Sequence, residues 1–271
     1  MKLTKAFIGP FRSIEGQQTL NVDPKVTVLV GMNEAGKTVL LKALQKSNCA
    51  VSEDKFDPTE DYPRKNLTAY KKVHATDPAS AVVLEFELDA VEIAAINKQV
   101  GTSLKVGHAL KITHKHDNSR AIDLVVDQAN LAFSLSKNFS TDASNALKDC
   151  KDLREFEDKL ASVSLTPEDQ TALAAIKTRI DKTEWHNVAQ WEAWRTISTQ
   201  VPKFLYFSDY DLLPGKMNLA DLAQRVQTAK SDPKTLKSNH RAVLALLRMA
   251  DISENSKSEI SAIRNSASTA R

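Results

Sequence analysis

The sequence predicts an α/β fold, and three observations carry that prediction. An apolar, β-branched run at residues 26–30 leads through a glycine-bounded loop into a stretch of good helix formers. Segments between residues 81 and 126 alternate apolar and polar side chains and predict a small antiparallel sheet. Residues 129–200 carry helical periodicity and helix-start chemistry. The expected architecture is a sheet around the 26–30 strand, an antiparallel side sheet and a helical subdomain.

The first element is Val26-Thr27-Val28-Leu29-Val30, whose composition suits a buried parallel strand. Gly31-Met32-Asn33-Glu34-Ala35-Gly36-Lys37-Thr38 follows directly and fits GxxxxGK[ST] at every fixed position. Val39-Leu40-Leu41-Lys42-Ala43-Leu44-Gln45 then supplies a helix with apolar positions 40, 43 and 44. Strand, loop and helix stand in the order that a phosphate-binding loop requires. Backbone N–H groups of Gly31–Gly36, and the unpaired N–H groups of the helix start through Val39, would cradle phosphate oxygens. Lys37 would reach the β and γ phosphates of a nucleoside triphosphate, and the Thr38 hydroxyl would hold Mg²⁺.

Composition narrows the field further. The chain has 7 glycines in 271 residues, which argues against a turn-rich β-sandwich and makes the paired loop glycines stand out. The 37 Lys+Arg against 34 Asp+Glu leave a surplus of +3, too small to imply a polyanion partner without local concentration. Cys49 and Cys150 form no CxxC pattern and read as thiols of a reducing compartment. No apolar run approaches the roughly 18 residues that span a bilayer, and the first residues meet lysine and threonine too soon for a signal peptide. The expectation is a cytoplasmic protein with no membrane partner. A GTPase is disfavoured, because Asn97-Lys98 is followed by Gln99-Val100 rather than completing a guanine motif. A small-molecule kinase usually places this loop nearer the N-terminus than the roughly 25-residue lead-in here allows.

That lead-in carries a resemblance. Met1-Lys2-Leu3-Thr4-Lys5-Ala6-Phe7-Ile8-Gly9-Pro10-Phe11-Arg12-Ser13-Ile14, then Gln18-Thr19-Leu20-Asn21-Val22, precede the loop. With Asn33 inside it, this resembles the N-terminal half of SMC/RecF/OLD-type ATPases, the ABC-type heads of P-loop AAA-family proteins in DNA repair and phage defence. The resemblance covers roughly residues 1–45. Gly9-Pro10 departs from the Lys-Asn or Arg-Asn of many members, and Glu34-Ala35 from the commoner Gly-Ala or Glu-Ser. It implies a P-loop NTPase fold of the ABC-like head kind, with ATP and Mg²⁺ as ligands. It also implies a second head as partner, in a homodimer or higher oligomer, and places Arg12 and Ser13 near the nucleotide's phosphates or base.

Residues 48–80 are polar and broken by Pro58, Pro63 and Pro78, and read as a long surface excursion. Within them Asp61-Tyr62-Pro63-Arg64-Lys65 and Tyr70-Lys71-Lys72 interleave aromatic and basic residues, a pattern that can hold nucleic acid. Nearby acids (Glu53, Asp54, Asp57, Glu60 and Asp61) dilute that charge. Residues 81–88 predict a strand, 90–99 a helix, and 104–114 and 122–126 two strands joined by Asp117-Asn118-Ser119 turn chemistry. His108, His114 and His116 share one strand face with Leu110 and Ile112, which suits core packing better than a metal site.

Thr166-Pro167-Glu168-Asp169 predicts a helix start. Trp185, Val188, Trp191 and Trp194 recur every three residues, most simply as a buried helix face and alternatively as a stacking platform for bases. Phe204–Asp211 predicts a strand running into an acidic turn. Asp209 is there a candidate carboxylate for orienting Mg²⁺, Asp127 is its rival, and by resemblance the same stretch fits the Q-loop position better. Residues 219–226 and 242–249 predict helices, and 253–271 a frayed tail or the start of a helical insertion. The expected organisation is 1–50 ATPase core, 51–128 excursion and side sheet, 129–200 helical subdomain, 201–252 return to the core. No LSGG-like signature and no acid pair closing an apolar strand appears, so the chain reads as one half of a head. The expected function is ATP binding, with hydrolysis by a completed dimeric head acting on DNA or in anti-phage defence. A nucleotide-switched clamp that recruits an effector nuclease, and a small-molecule kinase, are the alternatives.

Overall fold

The structure, a computed structural model, describes residues 1–50, 54–206, 216–229 and 238–249. The chain separates into two units, one of residues 1–36 and 57–202 and one of residues 37–56 and 203–271. The first is organised by a five-stranded sheet in the order β2-β1-β3-β4-β5. Its strands are β1 (Lys2–Ile8), β2 (Gln18–Asn21), β3 (Ser80–Glu87), β4 (Ala109–Lys115) and β5 (Arg120–Leu124). Every pairing is antiparallel. The expected side sheet therefore exists and is larger than the alternation of 81–126 shows, because the lead-in strands join it.

Strand alternation sets which face is buried. Ala6, Leu84 and Ile112 align across three strands, and with Ile8, Val82, Phe86, Leu110 and Leu124 they form a buried face. The opposite face carries Lys5, Glu85, Lys111 and Asp123 in register, and the Lys111 ammonium stands 3.5 Å from the Glu85 carboxylate.

Of residues 48–80, expected as a surface loop, Pro58–Asp61 and Leu67–Val73 instead form two short helices, α2 and α3, numbered after α1 (Lys37–Ser47) of the second unit. The prolines mark starts here rather than breaks. Asp57 caps α2 by accepting from the Thr59 N–H, and Pro58 takes the first helical position, where its missing N–H costs nothing. Tyr70 of α3 is buried, stacks on Tyr62 at 3.8 Å and hydrogen-bonds both the Ala79 N–H and His74. The two aromatic rings offered by the sequence as a base-stacking surface are thus packed on each other.

The predicted helix over 90–99 is α4 (Ala90–Val100), started by an Asp89/Glu92 capping box and ended by Gly101 in left-handed conformation. The N-terminal ammonium of Met1 bonds Glu92 at 2.6 Å and Asp89 at 3.1 Å, tying β1 to that helix start. Five further helices complete the unit: α5 (Gln128–Ser136), α6 (Thr141–Leu147), α7 (Glu155–Leu160), α8 (Pro167–Asp181) and α9 (Val188–Ile197). On α9 the buried stripe is Val188, Ala189, Ala193 and Ile197. Trp185, Trp191 and Trp194 are half-buried at its margins, so the predicted tryptophan face is displaced. Small residues let α9 approach α4 closely, and bulky rings do not fit that seam.

In the second unit α1 is followed by Cys49, which forms a single parallel bridge with Phe204. Of the strand expected over 204–211, Phe204 makes that bridge and Leu205 and Tyr206 follow without ladder pairing, while 207–211, including Asp209, lie outside the described residues. Helices α10 (Leu219–Thr228) and α11 (Ser238–Met249) match the two expected helices. Among the described residues of this unit, Ala43, Leu44, Phe56, Leu222, Ala242 and Leu244 are buried.

Two buried polar groups set the response to acid. Asp169, in the capping box of α8, accepts hydrogen bonds from the backbone and hydroxyl of Ser140 and from the Thr166 N–H, and these hold its carboxyl down at about 2. Its contribution is complete above the ordinary aspartate range near pH 4 and is lost as pH falls toward 2. His114, buried on β4, is pushed down to about 4 by desolvation and by the Arg120 charge. Its neutral form is therefore a condition of folding, and stability falls from pH 6.5 toward 4, by about 3 kcal/mol. Urea midpoints measured across this range test both windows. His114→Gln should flatten the upper one and Asp169→Asn the lower, and identical pH profiles for variants and parent would contradict these assignments.

Candidate functional site

Asp23 sets the approach to the Gly31–Thr38 loop. Its carboxylate accepts from the N–H groups of Lys25 and Val26, which lower its pKa, and its own N–H donates to the Thr27 hydroxyl. Residues 26–30 then run without ladder pairing, with Val26, Val28 and Val30 at 71%, 73% and 90% exposure. The expected buried parallel strand is not formed. A strand is stable only when its backbone groups are paired, and the five strands of the described sheet pair among themselves.

Within the loop the Ala35 N–H donates to the Met32 carbonyl at 3.3 Å. Glu34 and Gly36 take left-handed backbone, with φ of 64° and 86°. Alternating handedness of this kind turns successive N–H groups to one side of a loop and makes an anion-binding concavity. A Cβ on Gly36 would meet nothing within 4 Å, so its φ, not lack of space, is what calls for glycine. Gly31 through Ala35 are exposed. In the second unit, α1 starts at Lys37, has no acidic residue in its first turn and leaves Thr38 exposed with Val39 half-buried. An 11-residue helix without acids at its start presents unneutralised N–H groups there.

Arg12 and Ser13 lie in the turn after β1. Gly9 opens that turn with φ of 116°, and its Cβ would lie 2.6 Å from the Gly16 carbonyl oxygen, which excludes the lysine or arginine of the resembled pattern. The Gly9–Pro10 peptide is cis. The Pro10 carbonyl accepts from the ring Nε2 of the fully buried His116, and Phe11 and Ile14 bridge each other. Arg12 itself has φ of 51°. Its backbone N–H donates to the Asp61 carbonyl at 2.6 Å, and its Nε donates to the Asp61 carboxylate at 3.0 Å. Asp61 is fully buried and also accepts from the Asp57 N–H, while the Arg12 side chain is 39% exposed. Ser13 is exposed. The described partners of Arg12 are thus Asp61 and the Phe11 ring beneath its guanidinium.

The remaining candidates are placed as follows. Asp127, the rival candidate for orienting Mg²⁺, lies three residues beyond the end of β5 and caps α5 by accepting from the Ala129 N–H. His108 donates to the Val125 carbonyl, and His114 and His116 are buried in the sheet core. Among the described residues no group of three or more His, Cys, Asp or Glu could hold a metal ion. No helix among them is long and apolar enough to cross a membrane. In the sequence Asp61 reads only as an acid that dilutes a basic stretch, although Asp57-Pro58 about one turn ahead carries the same cap-and-proline signature as Thr166-Pro167.

A family model described as an AAA domain matches residues 8–267. The chain belongs to this family. A comparison with curated proteins gives no match. AAA domains are P-loop ATPases that generally use ATP and Mg²⁺, and the donor groups of residues 31–38 suit those ligands. In the first unit the exposed loop carries backbone N–H groups of the kind that bind phosphate oxygens, and in the second unit Thr38 exposes a hydroxyl of the kind that binds a hard cation.

The Arg12–Asp61 pair gives a stability prediction. Arg12→Ala removes the cationic partner of a buried carboxylate that keeps the Asp57 N–H, and with the arginine partly exposed the cost should be about 2 kcal/mol. Asp61→Asn leaves no buried charge and should cost less. Chemical denaturation of both variants checks that order, and a reversed order would contradict the pair as described.

Proposed function

We propose that this AAA-family chain binds ATP with Mg²⁺ through Gly31–Val39 and, paired with a second head, hydrolyses it to drive a DNA-linked or anti-phage machine. The observation that carries the reading is the loop itself: GxxxxGKT entering an 11-residue helix, with left-handed backbone at Glu34 and Gly36. Phosphoryl transfer to water is chiefly charge neutralisation and positioning. The loop N–H groups and Lys37 supply neutralisation at the phosphates, and Thr38 is the residue that would hold Mg²⁺. When bound, the ion draws charge from the β and γ oxygens. Arg12, steadied by Asp61, is the candidate for a further contact with the nucleotide.

The exposed valines at 26, 28 and 30 support the half-head reading. A strand with that much apolar surface in water gains from partner strands on its edges, and such strands are what a completed ATPase sheet would bring.

Calorimetric titration with ATP·Mg²⁺ tests the proposal. Binding is expected in the micromolar range and should weaken by roughly tenfold or more in Lys37→Ala, with turnover by the chain alone well below about 1 s⁻¹. Absence of binding would overturn the proposal. Turnover of about 1–10³ s⁻¹ that Lys37→Ala abolishes would overturn the half-head part. Mass in solution should double with a slowly hydrolysed ATP analogue if heads pair.

A further inference from the structure

Three cations converge on one cleft of the first unit. Arg179 lies near the end of α8, Lys182 caps that helix, and Arg195 lies on α9; together with Trp191 and Glu192 they line an open cleft of about 420 Å³. Glu192 neutralises one of them, because its carboxylate takes both Nε and a terminal nitrogen of Arg179. Lys182 and Arg195 have no carboxylate within ion-pair distance among the described residues, and both are exposed. The cleft therefore concentrates two net positive charges on a chain whose whole surplus is +3.

The aromatic component is geometrically specific. The Arg195 guanidinium lies over the Trp191 ring at 4.8 Å from its centroid. A stacked guanidinium is a planar, weakly hydrated cation, and its outer face accepts a nucleobase as an aromatic ring does. Trp191 is half-buried, so it anchors the stack without being consumed by the core. Gln99 of α4 adds a neutral hydrogen-bonding group to the wall.

We propose that this cleft seats a phosphate–base unit of single-stranded nucleic acid. Lys182 and Arg195 hold the phosphate, and the base stacks on the Arg195–Trp191 pair. The volume suits one nucleotide. An open cleft with exposed cations on its rim suits a continuous strand, whereas a free nucleotide would be expected in a more enclosed site. Stacking on one planar shelf requires an unpaired base, which a duplex does not offer. The inference rests on the DNA-linked part of the proposed function and uses none of the phosphate-loop residues.

Fluorescence anisotropy of a labelled thymidine strand of about 15 nucleotides, titrated with the full chain at several salt concentrations, tests it. The parent should bind with affinity that falls as salt rises. Lys182→Ala with Arg195→Ala should weaken binding roughly tenfold and make the log–log salt slope shallower by about 0.7, the value for one neutralised phosphate on a single strand. Glu192→Gln keeps hydrogen-bonding atoms toward Arg179 but removes the negative charge, and should tighten binding by about two- to threefold, a gain that misfolding cannot imitate. ATP binding by all three proteins should be equal.

Strand binding that is unchanged in the double variant and in Glu192→Gln would overturn the cleft while leaving the DNA-linked reading standing. Binding of a duplex but not of the strand would do the same. No binding of either nucleic acid would overturn both. Thymidine monophosphate competing as well as the strand would overturn the strand in favour of a free nucleotide.

Discussion

Backbone N–H and C=O groups that leave water need partners, and the first unit is arranged around how β1 meets that requirement. It pairs with β2 on one edge and β3 on the other, both antiparallel, so its polar backbone is consumed and its side chains divide cleanly between two faces. Beyond its end the Gly9 N–H still donates to the Ala81 carbonyl, and the Pro10 carbonyl is taken by His116 from the end of β4. The turn carrying Arg12 is therefore an extension of the sheet. Residues 26–30 stand outside that arrangement: they have strand composition but no ladder pairing among the described residues, and their three valines are exposed to water.

Much of this was legible wherever the deciding interaction is local. The capping boxes of α4 and α8 lie within four residues of sequence, and both helix starts were readable there. The turn at 117–119 between β4 and β5 was equally plain, with Asn118 left-handed as its chemistry allows. What failed depends on distant partners. Nothing in Lys2–Ile8 announces that it pairs with residues 82–87. The composition of 26–30 suits a buried parallel strand, but composition becomes a strand only when a neighbour supplies hydrogen bonds. The misread stretch at 48–80 is a different kind of error. Asp57-Pro58 is a local helix start, but three prolines in a polar segment resemble breakage when burial of Asp61 and Tyr70 is not visible.

The candidate site divides along the same line. The loop was legible because its function lies in backbone geometry that glycine spacing encodes, and Gly36 with φ of 86° shows that encoding directly. The environment of Arg12 was not, since its ion pair joins residues 49 apart in sequence. A resemblance at Phe11-Arg12-Ser13 could suggest that the arginine matters. Only the fold shows that a buried carboxylate holds it, and that Gly9 is required where the resembled pattern has a long side chain.

Charge makes the same point about composition. A surplus of +3 suggests a chain indifferent to anions, but the surplus counts every cation equally. Arg179 is paired with Glu192, and its guanidinium acts as a rigid fixture whose Coulomb energy is already realised inside the protein. Lys182 and Arg195 are not spent in that way, and they sit on one rim beside an aromatic ring. A phosphate responds to the local field, which within a Debye length of about 10 Å is set by the cations that have no internal partner. Anion affinity in this chain is therefore decided by which carboxylates the fold brings to which cations. Removing the single charge of Glu192 should matter more at the α8–α9 cleft than adding several lysines elsewhere on the surface.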